Sequence, residues 1–195
     1  MKIAVCGGIG SGKSAVIECI DELGYSTRKA DDINAELFYD EKYLRLLLAA
    51  FPDIQLPDGS VDKVELRRQI FKDKAKRYIL NSISHPLIKK RIEEMQQDPL
   101  FVEVPLLIEA NMRDCFDEVI FVKSSKRKRL ARLASRPGLS AGMALKIMKS
   151  QKSDKELMAV STIVLDNDGT KEDLKRNVKE ICDYIFGTDN KNETE

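Results

Sequence analysis

The sequence predicts an α/β fold, layered around a central, mainly parallel five-stranded sheet, and three observations carry that prediction. Short continuous apolar runs recur along the chain, as in strands buried on both faces. Stretches of helical periodicity separate them. A glycine-rich segment, Gly7 to Ser14, joins the first apolar run to the first helical stretch.

The first run is Ile3-Ala4-Val5-Cys6. After the glycines, Val16, Ile17, Ile20 and Leu23 recur at helical spacing, and Gly24 stands where a helix commonly ends in glycine. Tyr25 to Arg28 reads as a second strand. Asp31 or Asp32 stands as the cap of a helix through Ile33, Leu37 and Phe38. From Glu41 to Gln97 the pattern is mostly helical, broken by the turn Pro57-Asp58-Gly59-Ser60 and by Pro86, read as a helix start. Ile88, Ile92 and Met95 mark a buried face there. Strand signals return at Phe101 to Val104, Val119 to Val122 and Thr162 to Leu165. A last helix starts at Thr170, capped reciprocally by Asp173, with Leu174, Val178, Ile181 and Ile185 on one face.

These elements give a single domain over 1–187: a core of about 1–30, 100–125 and 158–187, a helical substrate-binding insert of about 31–99, and a small helical lid of about 132–152. A polar flexible tail, 188–195, follows.

A chain of 195 residues, 43% hydrophobic and 33% charged, is long enough to bury one sizeable core. Its formal net charge of +1 gives no global attraction to nucleic acid or an anionic membrane. Lys126-Arg127-Lys128-Arg129 is the one dense basic run, and without interleaved aromatics it reads as a solvated helix face. Cys6, Cys19, Cys115 and Cys182 form no C-x-x-C pair, so neither a zinc site nor a redox motif is indicated. Reduced cysteines and the shortness of the Ile3 to Cys6 run, too brief for a signal-peptide core or a membrane span, lead to the expectation of a cytoplasmic protein.

Gly7-Gly8-Ile9-Gly10-Ser11-Gly12-Lys13-Ser14 satisfies G-x-x-x-x-G-K-[ST]. Glycines let the backbone curl so that N–H groups converge on phosphate oxygens at the positive end of the next helix. The expected nucleotide contacts are Gly8, Gly10, Ser11, Gly12, Lys13, Ser14 and Ala15. Lys13 is expected to reach the β and γ phosphates, and the Ser14 hydroxyl to ligate Mg²⁺. This predicts a three-layer P-loop NTPase fold binding a nucleoside triphosphate. A guanine reader of the form N-K-x-D is met only by the poor match Asn190-Lys191-Asn192-Glu193. Val164-Leu165-Asp166 has the shape of a strand ending in a metal aspartate, but its late position favours a loop near the base, with the metal role kept as the alternative.

Taken in order, several segments resemble the dephospho-CoA kinase family across nearly the whole chain. They are the phosphate loop, Ala30-Asp31, Pro57-Asp58-Gly59, Ser84-His85-Pro86-Leu87-Ile88, and Val104-Pro105-Leu106-Leu107-Ile108-Glu109. Arg129-Leu130-Ala131-Arg132-Leu133 with Arg136, Ile147 and Gln151 resembles the family's lid, and Asp166-Asn167-Asp168-Gly169 its last loop. The resemblance implies transfer of the ATP γ-phosphoryl, with Mg²⁺, to the ribose 3′-hydroxyl of dephospho-CoA, the last step of coenzyme A synthesis. It implies Asp31 as general base, Lys13 and Arg136 as catalytic cations, and Arg132 and Asn167 at the nucleotide. His85, Pro105 and Leu106, with Asp31, fall on the acceptor side. A monomer or weak homo-oligomer is expected, with ATP and dephospho-CoA as its small-molecule partners.

Three departures from the family pattern stand out. Lys29 stands where an aspartate is usual, Ala15 replaces a threonine, and Ser161-Thr162 replaces an alanine-aspartate pair. Cys6, where the family has a small hydroxyl residue, reads as core. A kinase with a different acceptor, or a nucleotide-binding protein without transfer, is the alternative reading.

Overall fold

The computed structural model describes residues 1–187; the tail 188–195, with Asn190 to Glu193 in it, lies outside the described residues. The chain packs as two compact units, Met1–Lys29 with the chain from Gln97 onward, and Ala30–Gln96.

The first unit holds a five-stranded sheet in the order β2-β3-β1-β4-β5. The strands are β1 (Lys2–Cys6), β2 (Ser26–Lys29), β3 (Leu100–Glu103), β4 (Glu118–Lys123) and β5 (Ile163–Asp166). All four pairings are parallel, β1 lying between β3 and β4. Alternation explains the continuous apolar run in β1. Ile3 and Val5 join a core with Val16, Ile17 and Ile20 of α1 (Lys13–Glu22) and Leu174, Val178 and Cys182 of α9 (Lys171–Phe186). Ala4 and Cys6, on the opposite face, are also fully buried. A strand covered on both faces needs no polar side.

Helix ends follow the sequence signals closely. Gly24 has φ +87 one residue past the C-cap of α1. Thr170 and Asp173 cap α9 reciprocally, the Thr170 hydroxyl accepting from Asp173 N–H while Asp173 accepts from Thr170 N–H. The Ser161-Thr162 pair also finds its reason here. Thr162 Oγ1 accepts from Val119 N–H at 2.9 Å, and Ser161 Oγ donates to the Leu157 carbonyl at 2.7 Å, tying the entry of β5 to its neighbours.

The second unit is helical: α2 (Ala30–Glu36), α3 (Glu41–Ala50), α4 (Lys63–Lys72) and α5 (Lys74–Glu94). Asp40, Asp62 and Asp73 cap the last three, each accepting from two backbone N–H groups. Tyr43, Leu47, Ile54, Leu66, Ile88 and Ile92 form its interior. Gly59, with φ +84, makes the turn expected at Pro57 to Ser60, closed by the Leu56 N–H to the Ser60 carbonyl.

Two sequence expectations are corrected. Pro86 does not start a helix; it lies inside α5, which runs unbroken for 21 residues. Its missing N–H costs one intrahelical bond, and burial of Ser84, Ile88 and Ile92 along one stripe offsets it. His85 therefore lies inside this helix as well. Asp31 and Asp32 are not caps either; both sit in the first turn of α2, where a carboxylate interacts favourably with the helix dipole. Past Glu36 the chain tightens into a 3₁₀ turn, Leu37–Tyr39.

The remaining helices belong to the first unit: α6 (Lys126–Ala134), α7 (Ala141–Ser150) and α8 (Asp154–Val160).

Candidate functional site

Gly7 to Ser14 leaves the carboxyl end of the central strand and enters α1. Gly12 is the N-cap of α1 in a left-handed conformation, φ +98, which a side chain would strain, and among the described residues no side chain caps the start of this helix. The first-turn N–H groups of α1 are thus left for an external acceptor. Lys13 is buried beneath the loop, its Nζ donating to the carbonyl of Gly7 at 2.9 Å and of Gly8 at 3.4 Å. Burial holds its ammonium below the ordinary lysine value, with Glu103 pulling it back up. A buried ammonium bonded only to carbonyls is poised to take an anionic partner.

Ser14 Oγ donates to Glu103 Oε1 at 3.1 Å. Glu103 is buried at the carboxyl end of β3, and among the described residues its second oxygen, Oε2, lacks a hydrogen-bond partner, as does the buried Ser11 Oγ. Among the described residues no group of three or more His, Cys, Asp or Glu could hold a metal ion by itself. Magnesium in phosphotransfer sites usually rests on one or two protein oxygens plus phosphates and water, so a serine hydroxyl beside a half-satisfied carboxylate suits its chemistry. Sequence reasoning missed Glu103. The signal was a single carboxylate closing an otherwise apolar strand.

Arg132 and Asn167 brace the loop from outside. Arg132 Nη1 donates to the carbonyls of Gly10 and Ser11 and to Ser124 Oγ, and Nη2 donates to the Asn167 carbonyl at 2.6 Å. Asn167 Nδ2 donates to the Ser11 carbonyl at 2.8 Å. Asp168, its carboxyl pulled below the usual range chiefly by Ser125 N–H, accepts from that group and from Ser124. Gly12, Ala15, Cys19, Leu174, Arg132 and Asn167 line a cleft of about 280 Å³ with a largely apolar floor. Asp166 is not among the residues that line this cleft; its carboxylate accepts from Asp168 N–H.

The basic run is not wholly a solvated face. Arg129 is buried, its guanidinium lying where a Cβ on Gly8 would be and its Nε donating to the Ile9 carbonyl at 2.9 Å. The helical period hid this, because which of four basic residues points inward depends on the loop it meets. Arg136 lies exposed just past α6, close enough to help depress the Lys13 ammonium. The structure thus brings Gly8, Gly10, Ser11, Gly12, Lys13, Ser14, Ala15, Arg132, Asn167 and Arg136 to one loop. Pro105 and Leu106, half-buried, begin the turn after β3 in the same unit. Asp31, exposed on α2, and His85, half-buried on α5, belong to the helical unit. Cys6 is core, burial pushing its thiol up to about 11.

A family model described as dephospho-CoA kinase matches residues 1–173. Dephospho-CoA kinase of Geobacter sulfurreducens is 36% identical over 188 residues, covering 92% of this chain and 95% of the relative. That of Sodalis glossinidius is 35% identical over 179 residues, 88% and 86% of the two chains. The solved dephospho-CoA kinase of Campylobacter jejuni superposes with a TM-score of 0.67 at 25% identity, covering 96% of this chain and all of that one. With a loop, a sheet order and a matched length of this kind, the chain belongs to the dephospho-CoA kinase family.

Proposed function

We propose that this kinase transfers the γ-phosphoryl of ATP to the ribose 3′-hydroxyl of dephospho-CoA, giving coenzyme A and ADP. The observation that carries it is the uncapped start of α1 above the buried Lys13. The names of the relatives support the choice of acceptor.

In this reading the triphosphate takes N–H groups of the loop from Gly8 to Ser14 other than that of Ile9, which donates to Gln151, and Lys13 exchanges its carbonyl partners for phosphate oxygens. The adenine lies in the cleft floored by Ala15, Cys19 and Leu174, beside Arg132 and Asn167. Ser14, with Glu103 behind it, would hold Mg²⁺, which would supply charge neutralisation during transfer. Asp31 accepts the proton of the 3′-hydroxyl as the new O–P bond forms and the bond from Pγ to the β-phosphate oxygen breaks, releasing ADP. Because the transition state is loose, Asp31 acts largely by aiming the hydroxyl. Arg136 meets charge on the transferring group, and closure of the lid, about 132–152, excludes water. His85, Pro105 and Leu106 contact the acceptor, which the insert, about 31–99, receives. A cytoplasmic place of work belongs to this reading, supported by four buried cysteines with no disulfide among the described residues; among the described residues no helix is long and apolar enough to cross a membrane.

The test is incubation with ATP, Mg²⁺ and either dephospho-CoA or a panel of nucleoside monophosphates, followed by mass spectrometry. The expected product is dephospho-CoA heavier by about 80 Da, one phosphoryl group. Phosphorylation of a monophosphate instead, or ATP binding with no product from any acceptor, would overturn the assignment.

A further inference from the structure

The backbone of Ile9 is held on both sides by segments far away in the chain. Its N–H donates to Gln151 Oε1 at 2.8 Å, and its carbonyl accepts from Arg129 Nε at 2.9 Å. The same guanidinium donates through Nη1 to Asp154 Oδ1 at 3.2 Å. Arg129 is 7% exposed, so this ion pair has one desolvated member. Its position above Gly8 leaves no space for any side chain at that residue. The partners are themselves fixed. Asp154 opens α8 behind the Ser153–Glu156 capping box, and the N–H of Lys152 donates to Glu109 Oε1 at 3.0 Å.

A glycine-rich loop has many accessible conformations and must lose that freedom when phosphate binds. Two hydrogen bonds on the backbone of one of its few non-glycine residues remove part of this freedom in advance. One of them is charge-assisted, and such bonds are roughly twice as strong as neutral ones. Lysine could not replace the arginine here, because a single ammonium lacks the planar fork that reaches a carbonyl and a carboxylate in different directions.

We propose that Arg129, oriented by Asp154 and complemented by Gln151, is a positioning residue that pre-shapes the phosphate loop for nucleotide and couples the loop to the start of α8. The inference rests on the nucleotide-binding reading of the loop. Its effect belongs in nucleotide affinity: the contacts lie on the Ile9 backbone, while the groups assigned to phosphoryl transfer are elsewhere.

The experiment is calorimetric titration of the whole protein with ADP, alongside steady-state kinetics. Arg129→Ala and Arg129→Lys are each expected to weaken ADP binding about 10- to 100-fold, the range for one hydrogen bond to a charged group, and to raise the KM for ATP more than they lower kcat. Asp154→Ala, at a half-exposed position that folding tolerates, is expected to weaken binding by a smaller factor and to add nothing once Arg129 is alanine. Gln151→Glu keeps an acceptor for the Ile9 N–H and is expected to bind better than Gln151→Ala. A wild type that binds no ADP would sink the nucleotide reading and this inference together. Wild-type binding matched within twofold by folded Arg129→Ala, or by Asp154→Ala if the former does not fold, would sink this inference alone.

Discussion

The hydroxyl of Ser14 donates to Glu103 across 3.1 Å, joining the first turn of α1 to the carboxyl end of β3. A hydroxyl that spends its proton on a carboxylate keeps its lone pairs for a cation, so Glu103 orients Ser14 and adds negative charge beside it. Glu103→Gln preserves an acceptor for Ser14 and removes the charge. We expect an intact fold, turnover reduced about 10- to 100-fold and a higher half-saturating Mg²⁺ concentration. Turnover measured across a Mg²⁺ series checks this; an unchanged profile would separate Glu103 from the metal.

Asp31 sits exposed in the first turn of α2, where asparagine is tolerated. If the carboxylate takes the proton of the acceptor, Asp31→Asn lowers kcat about 10²-fold or more and leaves ADP affinity within twofold. Equal turnover of the two proteins would remove Asp31 from the chemistry.

Gly12→Ala meets two obstacles. The residue has φ +98, and a Cβ there would collide with the Asn167 amide. The strain alone costs about 1–2 kcal/mol, and the collision displaces the bond from Asn167 to the Ser11 carbonyl. Gly59→Ala is the control: φ is +84 and no atom lies within 4 Å. Both variants should melt lower than wild type. Only the first should lose ADP binding, by more than about tenfold; parallel loss in both would point to global destabilisation.

Acid should weaken the fold in a defined window. Glu156 is drawn down to about 2 from its ordinary 4.5, first by the Lys152 ammonium and then by Ser153. Asp173 is drawn to about 2 from 3.8, first by the Thr170 N–H. Depressed carboxylates bind fewer protons folded than unfolded. Their contribution is complete above about pH 4.5 and is lost as the pH falls toward about 2. Glu156→Gln and Asp173→Asn should each melt lower than wild type at pH 7 and show a shallower decline on acidification. Thermal melts at intervals from pH 7 to about pH 2.5 test this, and a decline as steep as wild type would exclude these two caps as its source.

What could be read from the residues was the chemistry that is local in sequence. The phosphate loop, the glycine ending α1 and the Thr170–Asp173 cap all depend on neighbours within a few positions, and each stands where its spacing put it. Pro86 was misread because the penalty of an interior proline is set by the packing of a stripe that no window of sequence displays. Arg129 was hidden in a basic run for the same reason. Glu103 was passed over because strand reading scores a segment by its apolar majority. Lys29 gains a specific meaning only from the register of β2 with β3, which sets it directly beside Glu103.

The bond from Asn167 to the Ser11 carbonyl spans 156 positions. Residues 7–14 contain the whole phosphate motif, yet the groups that give it shape, Arg129, Arg132, Gln151 and Asn167, are translated far later. On the ribosome, a nascent chain therefore carries the motif without its full set of braces until Asn167 has emerged. Nucleotide is expected to act as a folding ligand only from that point on.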